Sequence, residues 1–446
     1  MAKVAFALVL LMIAGLGLAA VPAADAQATF TVVASGLNTP RGLTFGPDGK
    51  LYVAEAGTGG SEQFQWAPPF LTARLGTTGR IVRIDGNEKT VVAEGFQSLA
   101  LGPNSETVGV DDLAFAGSTL YAVVGQANAL PGGRETFSLL VKVGMDGKVD
   151  TVADLGKFER DNNPDQTVPD SNPFGIAIGP DGNIYVADAG GNDVLKVTPA
   201  GAISVAGVWR DNPVPTSVAF DRTGQAHVTF LTGAPFPPGT SRVERLTGSG
   251  TQVISPGITA ATDIKVGPDG LIYVLEHASE FGGGPPPKFK AESGRVVRIT
   301  PSGPQPVVTG LNSPTKMAFG PDGALYIANN SSDVPASDGQ IVKVASLPPP
   351  QPGIGAAAQP SPPAAPASTS GLPPAPTPAA KPAAPAQAPA SAAPAAKPAG
   401  SPAPAQAPAA LPRTGSASVI GGLAAPLAGL GAMLVLVGVE LLRRRR

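Results

Sequence analysis

The side chains of this sequence that could bind a metal are acidic, because softer ligands are nearly absent. The 446 residues include no Cys and only two His, which excludes thiol catalysis, iron–sulfur clusters and thiolate zinc sites. Between residues 161 and 172, the carboxylates of Asp161, Asp165 and Asp170 stand among three Asn residues. Oxygen donors at this density are typical of Ca²⁺ or another divalent cation. The simpler interpretation is an Asx-rich loop, since the central Gly and final Glu of an EF-hand are missing.

Other chemistries have less support. His277 follows Glu276, but the body of the chain has no G-x-S-x-G motif that would supply a Ser nucleophile. The formal net charge is −2 and the isoelectric point is near 5.8, so there is no electrostatic argument for a nucleic-acid partner.

The elements that must position these residues come from a repeat. A phrase of the form Gly-Pro-Asp-Gly followed by a Tyr-containing strand occurs in full four times, at 45–54, 178–187, 266–275 and 319–328. Degenerate copies occupy 115–124 and 220–229. All five Tyr residues of the chain fall on one repeat position, and His227 fills the sixth, which favours a structural role for His227. Each copy predicts a strand, a tight turn and a second strand.

Each repeat continues into a third predicted strand, and five of the six continue into a fourth. The sixth runs into a Pro-rich segment first, and its missing strand is supplied by residues 30–37, which resemble residues 306–311. The sequence therefore predicts an all-β fold, a six-bladed β-propeller over residues 29–346 that is closed by the N-terminal strand. Closure of this kind removes exposed sheet edges.

The two ends of the chain predict where the propeller is placed. Residues 1–26 have the Lys, the apolar run and the small residues of a secretory signal peptide. Residues 347–410 are rich in Pro and Ala, which predicts a disordered, extended stalk. Residues 411–446 contain an apolar run and four terminal Arg residues, which fit a transmembrane helix with its basic end inside.

The start of this last segment resembles an LPxTG sorting signal. It carries Leu411, Pro412, Thr414 and Gly415 at the matching positions, followed by the apolar run and the basic tail. The resemblance implies that a sortase cuts after Thr414 and joins the chain to a cell-wall peptide, the membrane holding the segment before sorting. An ordinary membrane span is the alternative, and both place the propeller outside the cytoplasmic membrane.

The body resembles the ScyD/ScyE family, which is related to the NHL-type six-bladed propellers. The resemblance extends over nearly all of residues 30–345 and implies export and a propeller, without implying a particular activity. It is carried by 38–49 with 51–57, 163–165, 170–175, 188–193, 236–239 and 275–276.

Six-bladed lactonases, which have a similar fold, hold a divalent cation at the channel mouth with acidic and Asn side chains from different blades. The resemblance implies Asp111, with Asp112 and Asp263 one residue further along their strands, as the candidates for such a site. The match is partial, and the same residues could cap strands or solvate the mouth. Arg41 holds the equivalent position in the first blade and is a candidate ligand-binding residue.

Aromatic residues in the long connections suggest a second kind of site. Trp66, Trp209 and Phe236 are expected on the face that carries the channel mouth, where they would suit a flat or apolar small molecule or a protein partner. Packing of the loops on themselves explains them equally well. Three functions follow: a binding or scaffold module at the cell surface, a divalent-metal-dependent hydrolase of the lactonase type, or a structural wall protein.

Overall fold

The computed structural model describes residues 28–350, apart from 67–70, 103, 105, 127–133, 249 and 283–287 and the side chains of 64–66, 71 and 72. The predicted signal peptide, nearly all of the Pro/Ala-rich stalk and the predicted sorting signal lie outside these residues. Within the described part of the chain, no helix is both long enough and apolar enough to cross a membrane.

The described residues form a six-bladed β-propeller, each blade being an antiparallel sheet whose innermost strand faces a central channel. Blade 1 has two additional short strands, Glu62–Trp66 and Thr107–Val108. Outside the blades, Phe281–Gly282 and Lys288–Phe289 pair as a separate two-stranded ribbon. From the inner to the outer strand, the blades are Pro40–Phe45, Leu51–Glu55, Leu71–Asp85 and Glu88–Ala100 (blade 1); Val110–Ala116, Thr119–Val124, Leu139–Val143 and Val149–Asp154 (blade 2); Pro173–Ile178, Ile184–Asp188, Asp193–Val197 and Ile203–Val208 (blade 3); Pro215–Phe220, Ala226–Phe230, Ser241–Thr247 and Gly250–Ile258 (blade 4); Ala261–Val266, Ile272–Glu276, Gly294–Thr300 and Gly303–Leu311 (blade 5); Met317–Phe319, Leu325–Asn329, Gly339–Val344 and Thr31–Leu37 (blade 6).

Blade 6 is completed by the start of the chain, as the sequence predicts. The strand Thr31–Leu37 pairs antiparallel with Gly339–Val344, so the first and last strands of the propeller belong to one sheet. Leu37 ends this strand with no exposed surface. The pairing covers the edge that Gly339–Val344 would otherwise present to other chains.

The repeated phrase joins neighbouring blades. In its full copies, the Tyr hydroxyl donates a hydrogen bond to the Asp of the turn, as Tyr273 does to Asp269 at 2.7 Å. His227 lies at the same position, with its Nε2 atom 2.9 Å from Asp221 Oδ2. The Phe that begins a phrase packs edge-to-face on the Tyr of an adjacent blade, as Phe220 does on Tyr185. This packing explains why the phrase recurs once per blade.

The hydrophobic core is divided among the contacts between blades, each adjacent pair enclosing its own cluster. A further cluster lies in the connections on the channel-mouth side, around Phe174, Leu231 and Phe236. One α-helix, Leu155–Asn162, lies between blades 2 and 3, with Asp154 as its N-cap, and a 3₁₀ turn covers Ala336–Asp338. The inner strands are thereby held in a fixed ring around the channel.

Candidate functional site

The central channel is built from two levels of side chains, because alternate residues of each inner strand point toward it. At the first level, Gly42 and Gly175 allow the inner strands of neighbouring blades to approach each other closely. A Cβ at Gly42 would lie 2.5 Å from Asp112 Cα, and one at Gly175 would lie 2.4 Å from the Thr216 carbonyl oxygen. We call this level the narrow ring; its members are Gly42, Asp112, Gly175, Ser217, Asp263 and Lys316. The level two residues further along is the wide ring, which consists of Thr44, Ala114, Ala177, Ala219, Lys265 and Ala318.

The narrow ring is closed by hydrogen bonds to Lys316, whose side chain is fully buried. Its ammonium group donates to the carbonyl oxygens of Thr216 at 2.8 Å and Thr262 at 3.1 Å. The same nitrogen lies 3.8 Å from Asp112 Oδ2 and 4.4 Å from the centre of the Phe174 ring. Lys316 therefore links the inner strands of other blades across the channel.

A second group of charges lies on the outer side of the narrow ring. The Arg41 guanidinium donates to Asp111 Oδ1 at 3.0 Å and to Glu106 Oε1 at 2.7 Å, and it stacks 5.1 Å from the centre of the Phe174 ring. Phe174 thus contacts two cations at the channel mouth. Arg41 is 3% exposed, so it closes this mouth and does not present a charge to solvent.

Burial dominates the electrostatics of both groups. It raises the pKa of Asp111 to about 7, and the neighbouring Arg41 opposes that rise. Burial also raises the pKa of Asp112 and lowers the pKa of Lys316, and the attraction between these two side chains opposes both shifts. The charges are therefore held by their partners against a substantial cost of leaving water.

The three carboxylates expected to hold a cation are already engaged in hydrogen bonds and ion pairs within the protein. Asp263 accepts from the Ser217 hydroxyl and the Lys265 ammonium, each at 2.6 Å, and from the Met317 amide at 2.8 Å.

The other two carboxylates are similarly bound. Asp112 accepts from the amides of Leu113 at 2.9 Å and Ile176 at 3.2 Å, while Asp111 is paired with Arg41. Among the residues that the structure describes, no three His, Asp or Glu side chains are placed to hold a metal ion. These donors do not fit a lactonase-type cation at the mouth.

Beyond the narrow ring, the channel widens into a cavity of about 420 Å³. It exists because four members of the wide ring are Ala, whose side chains leave the axis open. Leu43, Leu113, Ile176 and Val218 also line it, but their side chains are buried in the clusters between blades. The exposed wall is therefore a mixture of apolar and polar surface. The polar side chains among its lining residues are those of Asp112, Lys265 and Thr44.

The far end of this cavity has an aromatic and aliphatic rim, which we call the Phe-rich rim. Phe45, Phe220 and Phe319 line it together with Ile178 and Val266, and all five are half-buried. They are the residues that begin the repeated phrases, one per blade. The sequence contained this signal, because the first position of every copy is a large apolar residue.

The aromatic residues expected to form a rim are placed differently. Trp209 is 6% exposed, packs edge-to-face on Phe230 and donates its indole N–H to Glu244 at 2.8 Å. Phe236 is 1% exposed and packs against Phe281 and Phe289. These two side chains therefore fill the protein interior, as the alternative of loop packing predicts. The backbone of Trp66 ends the short strand Glu62–Trp66, and its side chain lies outside the described part.

The three Asp residues of segment 161–172 do not lie in the same environment. Asp161 is exposed and pairs with Lys157 on the same helix face. Asp165 and Asp170 are each 1% exposed and are held by Thr167, Asn192 and Gln126. The structure therefore does not bring Asp161 together with the other two, while it places Glu159, Asp188 and Asp193 near them, residues that a search within one segment could not include.

His277 is buried on the channel-mouth side. Its Nδ1 atom lies 3.0 Å from the Pro314 carbonyl oxygen, and its ring packs edge-to-face on Phe289. Burial lowers the pKa of His277 to about 4; the hydrogen bond to Pro314 and the negative charge of Glu106 oppose this shift, and the positive charge of Arg41 adds to it. The imidazole is therefore neutral at pH 7.

Comparisons with known proteins give distant matches to solved structures. No protein-family model matches the sequence, and no curated protein matches it. A putative oxidoreductase (glucose dehydrogenase) from Thermus thermophilus is 18% identical, with a TM-score of 0.45, over 71% of this chain and 99% of that one. The PQQ-bound aldose sugar dehydrogenase of Streptomyces coelicolor is 16% identical, with a TM-score of 0.44, over 71% and 98%.

Virginiamycin B lyase of Staphylococcus aureus is 15% identical, with a TM-score of 0.42, over 71% of this chain and 98% of that one. A putative gluconolactonase is also similar, at 14% identity and a TM-score of 0.42. These solved neighbours are named as oxidoreductase, lyase and lactonase enzymes. Similarity at this level says nothing about the activity of this chain.

Proposed function

We propose that this chain is an exported, surface-anchored propeller of the ScyD/ScyE type that binds a small amphipathic molecule in its central channel. The observation that carries the proposal is the cavity of about 420 Å³, which the narrow ring closes at one end and the Phe-rich rim opens at the other. Small-molecule sites are typically concave and mostly apolar, with a few polar groups that orient the ligand.

The chemistry of the walls defines the class of ligand. An apolar body would lie against Ala177, Ala219 and the rim, where no charged side chain needs to lose water. A single polar end would reach Lys265, which is the half-buried charge at the base of the cavity and is already bonded to Asp263. A ligand with several charges would not suit these walls.

Binding without catalysis is the form of this proposal that the side chains support. A metal-dependent hydrolase needs free carboxylate oxygens to hold its cation, and those of Asp111, Asp112 and Asp263 are engaged by Arg41, by backbone amides and by Lys265. The lactonase alternative therefore has less support. A structural wall protein remains an outcome of the test, because such a protein needs no ligand.

The cavity is tested with N-phenyl-1-naphthylamine, a fluorescent probe that has an apolar body and one N–H group. We expect the full chain to bind it, and Ala177→Phe to weaken that binding at least 10-fold, because the new ring would fill the channel. Val205→Phe adds the same kind of bulk to an exposed outer strand and should bind as the unaltered chain does. A chain that does not bind the probe would contradict a ligand site in the channel. Equal binding by Ala177→Phe and the unaltered chain would also contradict it, because the probe would then be held elsewhere, for example by the apolar C-terminal run.

Export and anchoring are supported by the two ends of the sequence. We expect the unaltered chain in the cell-wall fraction of a bacterium that carries a sortase, because its last segment has the order of a sorting signal. Thr414→Ala should leave the chain in the membrane fraction, since the sortase would have no Thr to join to the wall peptide. Equal partition of the two chains between the fractions would contradict anchoring by a sortase.

A further inference from the structure

Five acidic side chains are buried together at the edge of blade 3. Each is no more than 1% exposed, although acidic residues are rarely buried without a partner. They come from the helix Leu155–Asn162, the segment that follows it, and the second and third strands of the blade. We call them the acid cluster: Glu159, Asp165, Asp170, Asp188 and Asp193.

Three members of the acid cluster are bound by hydrogen-bond donors. Asp188 accepts from the Ser171 hydroxyl and the Asn172 amide, each at 2.6 Å, and from two glycine amides. Asp165 accepts from Thr167 and from the Asn192 amide group, and Asp170 accepts from Gln126. These carboxylates have the environment of ordinary loop-capping residues.

Glu159 and Asp193 are different. Neither carboxylate oxygen of Asp193 has a hydrogen-bond partner, although the residue has no exposed surface, and Glu159 Oε1 also has none. Both side chains border the space above Gly191: a Cβ at that glycine would lie 3.2 Å from Glu159 Oε2 and 3.5 Å from Asp193 Oδ1. The absence of a side chain at Gly191 keeps this space open between the two carboxylates.

The electrostatic surroundings of these two groups are unfavourable to two negative charges. Burial, together with the negative charges of Asp188, Asp165 and Asp170, raises the pKa of Glu159 to about 9. Burial also raises the pKa of Asp193 well above its usual range, with Asp188, Glu159 and Asp165 acting in the same direction. An uncompensated buried carboxylate is strongly destabilising, and a bound cation would supply the missing charge.

We propose that Glu159 and Asp193 bind a hard divalent cation, Ca²⁺ in the first instance, in the space above Gly191. Two carboxylates suffice as the charged ligands, because Ca²⁺ completes its coordination with neutral oxygens and water. Asn163 Oδ1 is a candidate for a neutral ligand, because it is buried without a hydrogen-bond partner. The backbone N–H of Asn163 donates to the Glu159 carbonyl oxygen at 2.8 Å, which keeps the two residues close together. The bound ion would tie the helix to blade 3.

The test is calorimetric titration of the full chain, first stripped with chelator, with CaCl₂ and with MgCl₂, accompanied by thermal melts. We expect one ion per chain and a melting temperature that rises on its addition. Glu159→Gln and Asp193→Asn should each weaken binding at least 100-fold, because each removes one of two charged ligands. Asp161→Asn is the matched control, since Asp161 is exposed and paired with Lys157, and it should bind as the unaltered chain does.

Two results would overturn the proposal. One is a stripped chain that takes up neither ion and melts at the same temperature with chelator and with either salt. The other is uptake that survives both Glu159→Gln and Asp193→Asn, which would place the ion elsewhere in the chain. Each substitution replaces a carboxylate by its isosteric amide, so if one variant does not fold the other still decides. Binding of the naphthylamine probe in the channel does not depend on this site.

Discussion

Replacing Lys316 by Met should lower the free energy of unfolding by about 3–5 kcal/mol, the range found when one partner of a buried charge pair is removed. Lys316 is fully buried, and its ammonium group faces Asp112 and two backbone carbonyl oxygens. Met fills a similar volume but leaves the Asp112 carboxylate without its nearest cation and the carbonyls without a donor. Urea unfolding at pH 7 measures the change.

Lys265→Met is the matched control for Lys316→Met. Lys265 also bonds to a narrow-ring carboxylate, that of Asp263, but its side chain is 27% exposed and water can replace it. A loss of about 1 kcal/mol or less is expected, as for partly exposed ion pairs. Equal losses in the two variants would show that the buried network does not hold the inner strands together.

The stability of the chain should fall by about 3 kcal/mol through His277 alone as the pH is lowered from about 6.5 to 4, at 1.36 kcal/mol per pKa unit. The folded protein lowers the pKa of this buried imidazole to about 4, whereas an unfolded chain would protonate it near 6.5. Above pH 6.5 both states are neutral and the contribution is complete; below about that pH, the unfolded state binds a proton that the folded state resists.

The His277 contribution is isolated by a difference, because buried carboxylates such as Asp111 titrate in the opposite sense. The free energy of unfolding of His277→Gln, subtracted from that of the unaltered chain at each pH, should fall by the stated amount between about pH 7 and pH 4. A pH-independent difference for His277→Gln would mean that the imidazole is not buried as described.

Most of the fold could be predicted because the repeat records it directly. Four of the five Tyr residues, and His227 in a degenerate copy, bond to the turn Asp of their own blade, as Tyr185 and His227 show. The closing strand was also predictable, because residues 30–37 resemble the outer strand of blade 5. Fold information of this kind repeats along the chain and can be read without knowing any contact.

The site was less predictable, because its chemistry depends on contacts between blades. Asp111 and Asp112 are consecutive in sequence, yet one pairs with Arg41 of blade 1 and the other approaches Lys316 of blade 6. A carboxylate that could bind a cation therefore cannot be distinguished, in the sequence, from one that is neutralised.

The same limit applies to the aromatic residues and to the acid cluster. Trp209 lies in a connection, and its burial follows from Phe230 and Glu244 in the next blade. Glu159 and Asp193 meet over Gly191 although a long stretch of sequence separates them. By contrast, the Phe-rich rim was readable, because Phe45, Phe220 and Phe319 each begin a repeated phrase.

A crystal structure of the protein grown with N-phenyl-1-naphthylamine would decide most directly whether the channel is a binding site. We expect the probe inside the channel, with its rings against Ala177 and Ala219 and its N–H group toward the narrow ring. Probe bound only on the outer strands, or in the connections around Phe236, would contradict a binding function for the channel.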